Sequence, residues 1–140
     1  MSASSKSQGS PCPVTFALDV FGDRWTLRVL RDVLLDSRYG YKDLLVANSG
    51  IATNVLADRL KRLEARNLVT KTRDPADARQ FLYKPTELAI SVIPMLVEMI
   101  IWGSKHGNGT VDAGFIQRYE RDRPALLKEL QTGARQMADL

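Results

Sequence analysis

The 140-residue sequence predicts a mainly α domain with a small β-wing, an α+β fold, and three observations carry that reading. Apolar residues recur at helical spacing in several separate blocks along the chain. One stretch, residues 68–84, replaces that period with two strand-like runs rich in β-branched and aromatic residues, joined by a charged turn. A hydrophobic content of 44% lets a chain of this length bury one core, with helices left over for association.

The elements follow in order. Met1 to Ser10 is polar and Ser-rich, has no apolar stretch that could act as a secretory signal, and reads as a flexible arm. From there Val14, Ala17, Leu18 and Phe21 keep helical spacing, with Pro13 suited to the first helical position and Cys12 to the N-cap. Gly22 ends this helix. A second is predicted to begin near Asp23, whose side chain can cap it, with Trp25, Val29, Leu30, Val33 and Leu34 facing inward and Thr26, Arg28, Arg31 and Asp32 on the wet face. Arg38 to Gly40 reads as a brief strand, and Tyr41, Leu44, Leu45 and Val46 as a short helix stopped by Asn48-Ser49-Gly50.

The next helix carries the most telling pattern. Ala52, Leu56, Leu60 and Leu63 share one face, while Asn54, Ala57, Lys61 and Arg62 look out and Thr53 sits in the open first turn. Asn67, tolerant of the left-handed conformation, is the predicted stop. A short helix, a tight Gly-containing turn and a second helix with a polar outer face make a helix-turn-helix. The strand pair after it, Leu68–Thr72 and Gln80–Lys84 around Asp74-Pro75-Ala76-Asp77, is its wing.

Beyond the wing, Thr86 and Glu87 to His106 restart helical periodicity, with Leu88, Val92, Met95, Met99 and Trp102 on one broad face and Ile93, Leu96, Val97, Ile100 and Ile101 around it. A helix this apolar needs cover on both sides, and a second copy of the chain supplies it. Pro94 should bend it. The run Ile90 to Trp102 is interrupted by Ser91, Pro94 and Glu98 and falls short of the ~20 residues a membrane span requires, so no membrane association is expected. Gly107-Asn108-Gly109 breaks the chain, and Pro124 splits the tail into two helices whose balanced charges fit a packing or dimerisation role, or a solvated helix. The expected organisation is an arm over 1–10, a winged helix-turn-helix domain with its dimerisation helix over 11–106, and a C-terminal helical extension over 107–140.

Charge location points to a partner. Residues 37–85 hold ten Lys or Arg against five acids, a surplus of five, whereas the whole chain carries +4. The basic excess therefore sits where the outward helix and the turn would meet a polyanion, and double-stranded DNA is the natural one. Thr53, Asn54 and Ala57 are the candidates for base edges, because Asn pairs bidentately with adenine and Thr and Ala methyls meet the thymine methyl; a purely solvated Asn54 is the alternative. Lys61, Arg62, Arg73 and Arg79, with Lys42 on the preceding helix, are the candidates for phosphate contact. Arg79 could equally pair with Asp74 or Asp77 and hold the turn.

One Cys and one His exclude an internal disulfide framework and leave too few soft ligands for a one-chain zinc site, so neither metal nor cofactor is expected and the compartment is cytoplasmic. A thiol at a helix N-terminus has its thiolate favoured, which suits Cys12 to sensing oxidants or electrophiles; the alternative is a small buried apolar residue. As the sole Cys, it can form a disulfide only with a second chain or a small thiol. Trp25 and Trp102 fit the core better than a ligand cage.

A series of short motifs then carries a resemblance: Cys12-Pro13-Val14 with Ala17-Leu18, Gly22-Asp23-Arg24-Trp25-Thr26, Asp43-Leu44, Gly50-Ile51, Val55-Leu56, Arg59-Leu60, Leu63-Glu64, Leu68-Val69, Tyr83, Thr86-Glu87-Leu88, Pro94 and Trp102-Gly103. In this order and spacing, over about residues 11 to 106, the chain resembles the HxlR-type family of winged helix-turn-helix transcriptional regulators, similar in fold to the MarR group. The resemblance implies a homodimer whose recognition helices enter successive major grooves, with dimer contacts from the first helix and the long helix after the wing. Phe16, Val20, Trp25, Met95, Met99 and Trp102 are then the candidates for a dimer interface or ligand pocket. It also implies repression, and modulation by an electrophile or small molecule, with Cys12 in the position of the sensing thiol. Two departures stand out: Ala52 occupies the place of a capping Ser, and Ala89 that of a Gly. Two other functions compete, a winged-helix protein-interaction module and an enzyme with Cys12 as nucleophile. The enzyme is disfavoured because His106 lies near the end of the long helix and no Gly-rich phosphate loop or paired metal ligands occur.

Overall fold

The structure, a computed structural model, describes residues 11–140, and the arm expected over 1–10 lies outside the described residues. In chain order the elements are α1 (Pro13–Phe21), α2 (Thr26–Leu35), α3 (Tyr41–Ala47), α4 (Thr53–Ala65), β1 (Val69–Asp74), β2 (Asp77–Pro85), α5 (Glu87–Ile90), α6 (Ile93–His106), α7 (Ala113–Arg121) and α8 (Arg123–Ala138). The mainly α fold with a small antiparallel wing is the one the periodicity predicts.

The core gathers buried apolar residues from most of the helices around α2. Val29, Leu30 and Val33 of α2, Leu44 of α3, Leu56, Leu60 and Leu63 of α4, and Ile93 and Val97 of α6 are all essentially inaccessible. The fourth residue expected on the inner face of α4, Ala52, instead precedes the helix in an extended conformation and is exposed. Asn67 ends the helix as expected, with φ at +60°.

In the wing, Val69 pairs with Pro85 and Arg73 with Phe81, with an irregularity between Arg73 and Asp74. The strands extend closer together than the sequence suggested, leaving Pro75 and Ala76 at the turn. The two Asp side chains make this possible: Asp74 accepts from the Ala76 N–H at 2.9 Å and Asp77 from the Arg79 N–H at 3.1 Å, an Asx-type substitution of side chain for backbone. The strand expected at Arg38–Gly40 is reduced to a single bridge, Gly40 with Leu82, because α3 starts at the next residue.

Two further expectations are corrected. Thr26 and Asp32 are buried rather than on the wet face of α2. Their polar groups are carried inside by partners: the Thr26 hydroxyl bonds Asp23, and the Asp32 carboxylate is bonded by Arg31 and by Asn48. Asp23 does cap this helix, accepting from the N–H groups of Trp25 at 2.8 Å and Thr26 at 3.0 Å, although the helix itself starts at Thr26.

The long helix is also not one bent rod. Thr86 caps α5 through the Ala89 N–H, α5 ends at Ile90 with Ser91 as its C-cap, and α6 restarts with Pro94 in its first turn. Within a continuous helix Pro94 would lack its hydrogen bond and clash with the carbonyl of Ile90; at a helix start neither penalty applies. The stretch Glu87–His106 is long and apolar enough by composition to cross a membrane, yet here Ile90, Ile93, Leu96, Val97 and Ile101 are buried in the core.

Pro124 divides the tail as predicted. Asp122 caps α8 by accepting from Ala125, and Leu126 and Ala134 insert into the main core. Ion pairs fasten the tail to α5 and α6: Arg135 to Glu87 at 2.9 Å, and Arg123 to Glu98 at 2.6 Å with the Tyr119 hydroxyl donating to the same carboxylate. These contacts pack the tail against its own domain.

Candidate nucleic-acid interface

Burial of Leu56, Leu60 and Leu63 fixes the roll of α4, and the helical period then turns Thr53, Asn54, Ala57, Lys61 and Arg62 to solvent, where all five are exposed. The first turn is held from α3 by the Tyr41 hydroxyl, which donates to the Thr53 carbonyl at 2.9 Å. Lys42, next to Tyr41, is exposed as well. Arg62 reaches back one turn to Asp58 at 2.9 Å, a surface pair that leaves its guanidinium able to exchange partners.

The wing cations differ from one another. Arg73 donates to the Ala78 carbonyl at 2.6 Å and lies 4.8 Å over the Phe81 ring, so it braces the hairpin. Arg79 pairs with Asp77, not Asp74, yet its side chain is 90% exposed. Of the two roles weighed for Arg79, the turn-holding pair is formed, and its exposure keeps the charge at the surface. That pair and the Arg79 N–H hold the Asp77 carboxyl below its ordinary value. Lys71 lies over the Phe81 ring at 4.3 Å, adding a further cation to the same ribbon.

Sequence reasoning passed over two polar clusters behind this surface. Arg59, on the flank of α4, donates to Asp23 at 3.0 Å and to Asp58 at 2.6 Å. Partial burial pushes the Asp23 carboxyl up, but the Thr26 hydroxyl, the Trp25 N–H, Arg59 and the Thr26 N–H together outweigh it and hold the group well below the usual carboxylate range. α4 is thereby tied to the α1–α2 junction. In the second cluster the Asn48 amide donates to Asp32 and to the Leu44 carbonyl, both at 2.8 Å, within the turn between α3 and α4. The Asp23–Thr26 capping spacing was legible, whereas nothing local signals a pairing of residues 16 positions apart.

Cys12 occupies the N-cap of α1 and is exposed, so the reading of a small buried apolar residue is set aside. The Thr15 hydroxyl, followed by the N–H groups of Thr15 and Val14, lowers its pKa. This is the direction that increases the thiolate fraction near neutral pH.

The six candidates for a dimer interface or ligand pocket do not converge. Phe16 and Val20 line a cavity of about 640 Å³ with Leu68, Leu88 and Val92, between α1, the end of α4 and α5. Trp25 is half-buried, with the guanidinium groups of Arg28 at 4.4 Å and Arg24 at 5.4 Å from its ring centre. Met95, Met99 and Trp102 form a stripe on the outer side of α6, opposite the buried Val97 and Ile101. The core expectation for Trp102 is therefore wrong: it is 67% exposed, against His106. The helix had more apolar faces than the domain has core.

The model of the HxlR-like helix-turn-helix family matches residues 20–110, more than half of the chain. An uncharacterized HTH-type transcriptional regulator of Halalkalibacterium halodurans is 28% identical over 96 residues, covering 69% of this chain and 85% of the relative. One from Mycobacterium tuberculosis H37Rv is 30% identical over 91 residues, which span 64% of this chain and only 56% of the relative. Among solved structures, a transcriptional regulator of the MarR family from Porphyromonas gingivalis W83 matches with a TM-score of 0.63 at 28% identity, over 69% of this chain and 94% of that one. The reduced form of the transcriptional regulator YodB from B. subtilis matches with a TM-score of 0.58 at 26% identity, over 71% and 97%. The exposed polar face of α4, the wing beside it and these likenesses agree, and the chain belongs to the HxlR-like helix-turn-helix family of transcriptional regulators.

Proposed function

We propose that this regulator is a homodimeric, sequence-specific DNA-binding repressor, located in the cytoplasm, that binds a near-palindromic operator. The observation that carries the reading is the split of α4 into a fully buried Leu56–Leu60–Leu63 face and an exposed Thr53–Asn54–Ala57–Lys61 face, flanked by the cationic wing. In this reading Thr53, Asn54 and Ala57 read base edges, and Lys42, Lys61, Arg62, Arg73 and Arg79 neutralise phosphate. A dimer places two such helices one turn of B-DNA apart, about 34–36 Å. Support for the dimer comes from the exposed apolar residues Val14 and Leu18 on α1 and Met95, Met99 and Trp102 on α6, a concentration unusual for a monomer surface.

Binding to DNA selected from a random pool, measured by fluorescence anisotropy across salt concentrations, tests the reading. Steep loss of affinity with rising salt is expected, since each phosphate contact releases counterions. A flat salt response would favour a winged-helix module that contacts protein instead.

Cys12 is assigned as a thiol switch on that activity. Its exposure, its lowered pKa and the likeness to reduced and diamide-treated forms of YodB at 26% identity support this. Diamide is expected to link two chains through Cys12, or to cap it with a small thiol, and to change operator affinity. The same affinity with a fully modified thiol would refute the switch. Turnover of a thiol-reactive substrate, abolished by Cys12→Ser, would instead favour the enzyme reading.

A further inference from the structure

Asp32, on α2, and Asn48, in the turn of the helix-turn-helix, are both polar and both lost from solvent, at 2% and 0% exposure. The Asn48 amide spends both hydrogens on acceptors of two elements, the Asp32 carboxylate of α2 and the Leu44 carbonyl of α3. Its orientation is fixed by that pair, since the flipped amide would set oxygen against two oxygens. Asn48 then passes the constraint forward: its carbonyl accepts from the Ile51 N–H at 3.0 Å, and Ile51 is buried two residues before α4 begins. On the other side the second Asp32 oxygen is held by the Arg31 guanidinium at 2.9 Å, and the Asp32 carbonyl accepts from Arg38 at 3.1 Å beyond the end of α2. The Asn48 side-chain oxygen is buried with no hydrogen-bond partner among the described residues.

A buried polar pair with one atom unsatisfied is a poor way to gain stability; an apolar pair of the same volume would pack there at lower cost. What the pair supplies is direction, because hydrogen bonds fix an angle where apolar contacts permit sliding. The connection between α3 and α4 runs from Asn48 to Ala52, with Gly50 at φ +89°, and besides this pair the start of α4 is held by the Tyr41 hydroxyl on the Thr53 carbonyl and by the burial of Ile51.

The geometry points to Asp32 and Asn48 as positioning residues for DNA recognition: a buried carboxylate–amide latch that sets the angle of α4 to the rest of the domain without touching DNA. This rests on the reading that α4 recognises the operator. Its consequence is that weakening the latch degrades discrimination between operator and random DNA while leaving phosphate-driven binding in place, because the Lys and Arg side chains still face the duplex.

The test uses the full chain and four proteins: wild type, Asn48→Asp, Asp32→Asn and the double variant. Affinity for pool-selected DNA and for random DNA of the same length is measured well below each protein's melting temperature. Asn48→Asp, which sets carboxylate against carboxylate and against the Leu44 carbonyl, is expected to lower the operator-to-random ratio at least about tenfold. Asp32→Asn keeps an acceptor for Asn48 and should stay within roughly threefold of wild type. The double variant removes the like-charge clash and should recover at least half of the logarithmic loss. If Asn48→Asp does not fold, Asn48→Ser, which keeps one donor, replaces it with an intermediate loss expected. A lowered melting temperature with an unchanged ratio would make the pair merely structural and overturn the inference alone. A wild type that does not distinguish operator from random DNA would overturn it together with the proposed function.

Discussion

Replacing Asp23 tests how the recognition helix is moored. The carboxylate of Asp23 closes the first turn of α2 through the Trp25 and Thr26 N–H groups and binds Arg59 of α4 with the same oxygen. Asp23→Asn keeps an amide oxygen for the cap, since Asn and Asp cap about equally well, but loses the charge facing Arg59. Asp23→Ala loses both. A lost cap costs about 1 kcal/mol, and a guanidinium that is only 17% exposed and deprived of one of its two carboxylates costs roughly 1–2 more. The expected order is therefore wild type, Asn about 1–2 kcal/mol lower, and Ala about 2–3 lower, or roughly 5 and 10 °C in Tm for a domain of this size. The assay is urea and thermal denaturation at one fixed protein concentration, because self-association shifts apparent stability. The pH dependence gives a second handle. Asp23 is held below its unfolded value near 3.9, so its contribution is fully present above about pH 4 and is lost as pH falls through the folded value. The gap between wild type and Asp23→Asn should stay constant from pH 8 to 5 and narrow below about pH 4. Equal stability of the Asn and Ala variants would refute the capping role, and an Asn variant as stable as wild type at pH 7 would refute the tie to Arg59.

Leu60→Ala, at a position 1% exposed in the centre of α4, should cost about 2–5 kcal/mol by urea denaturation through lost burial and a residual cavity. Lys61→Ala and Arg79→Ala should each weaken operator and random DNA alike and reduce the salt slope by about 1, read from anisotropy titrations. A joint Met99→Glu and Trp102→Glu variant should sediment as a monomer while keeping its far-ultraviolet dichroism, since both side chains stand outside the core. A dimer that survives that change would place the seam elsewhere.

Much of this protein was already determined by its residues. Leucine spacing at 56, 60 and 63 specified both that α4 is a helix and which side faces out, because one apolar stripe can turn in only one direction once buried. Asn67 and Pro124 marked their breaks for reasons of backbone geometry that hold in any context. The same reasoning failed at residues 87–106, where apolar side chains encircle the helix and periodicity cannot choose the buried face; packing of α6 against α8 sent Val97 and Ile101 inward and left Trp102 outside. It failed equally at Thr26 and Asp32, since a polar residue on a helix reads as solvated until its distant partner is known. The pairings of Asp32 with Asn48 and Asp23 with Arg59 join residues 16 and 36 positions apart. No local pattern encodes such bonds. They exist because the core fixes where three helices meet, and burial there makes an unpartnered polar group too costly to leave.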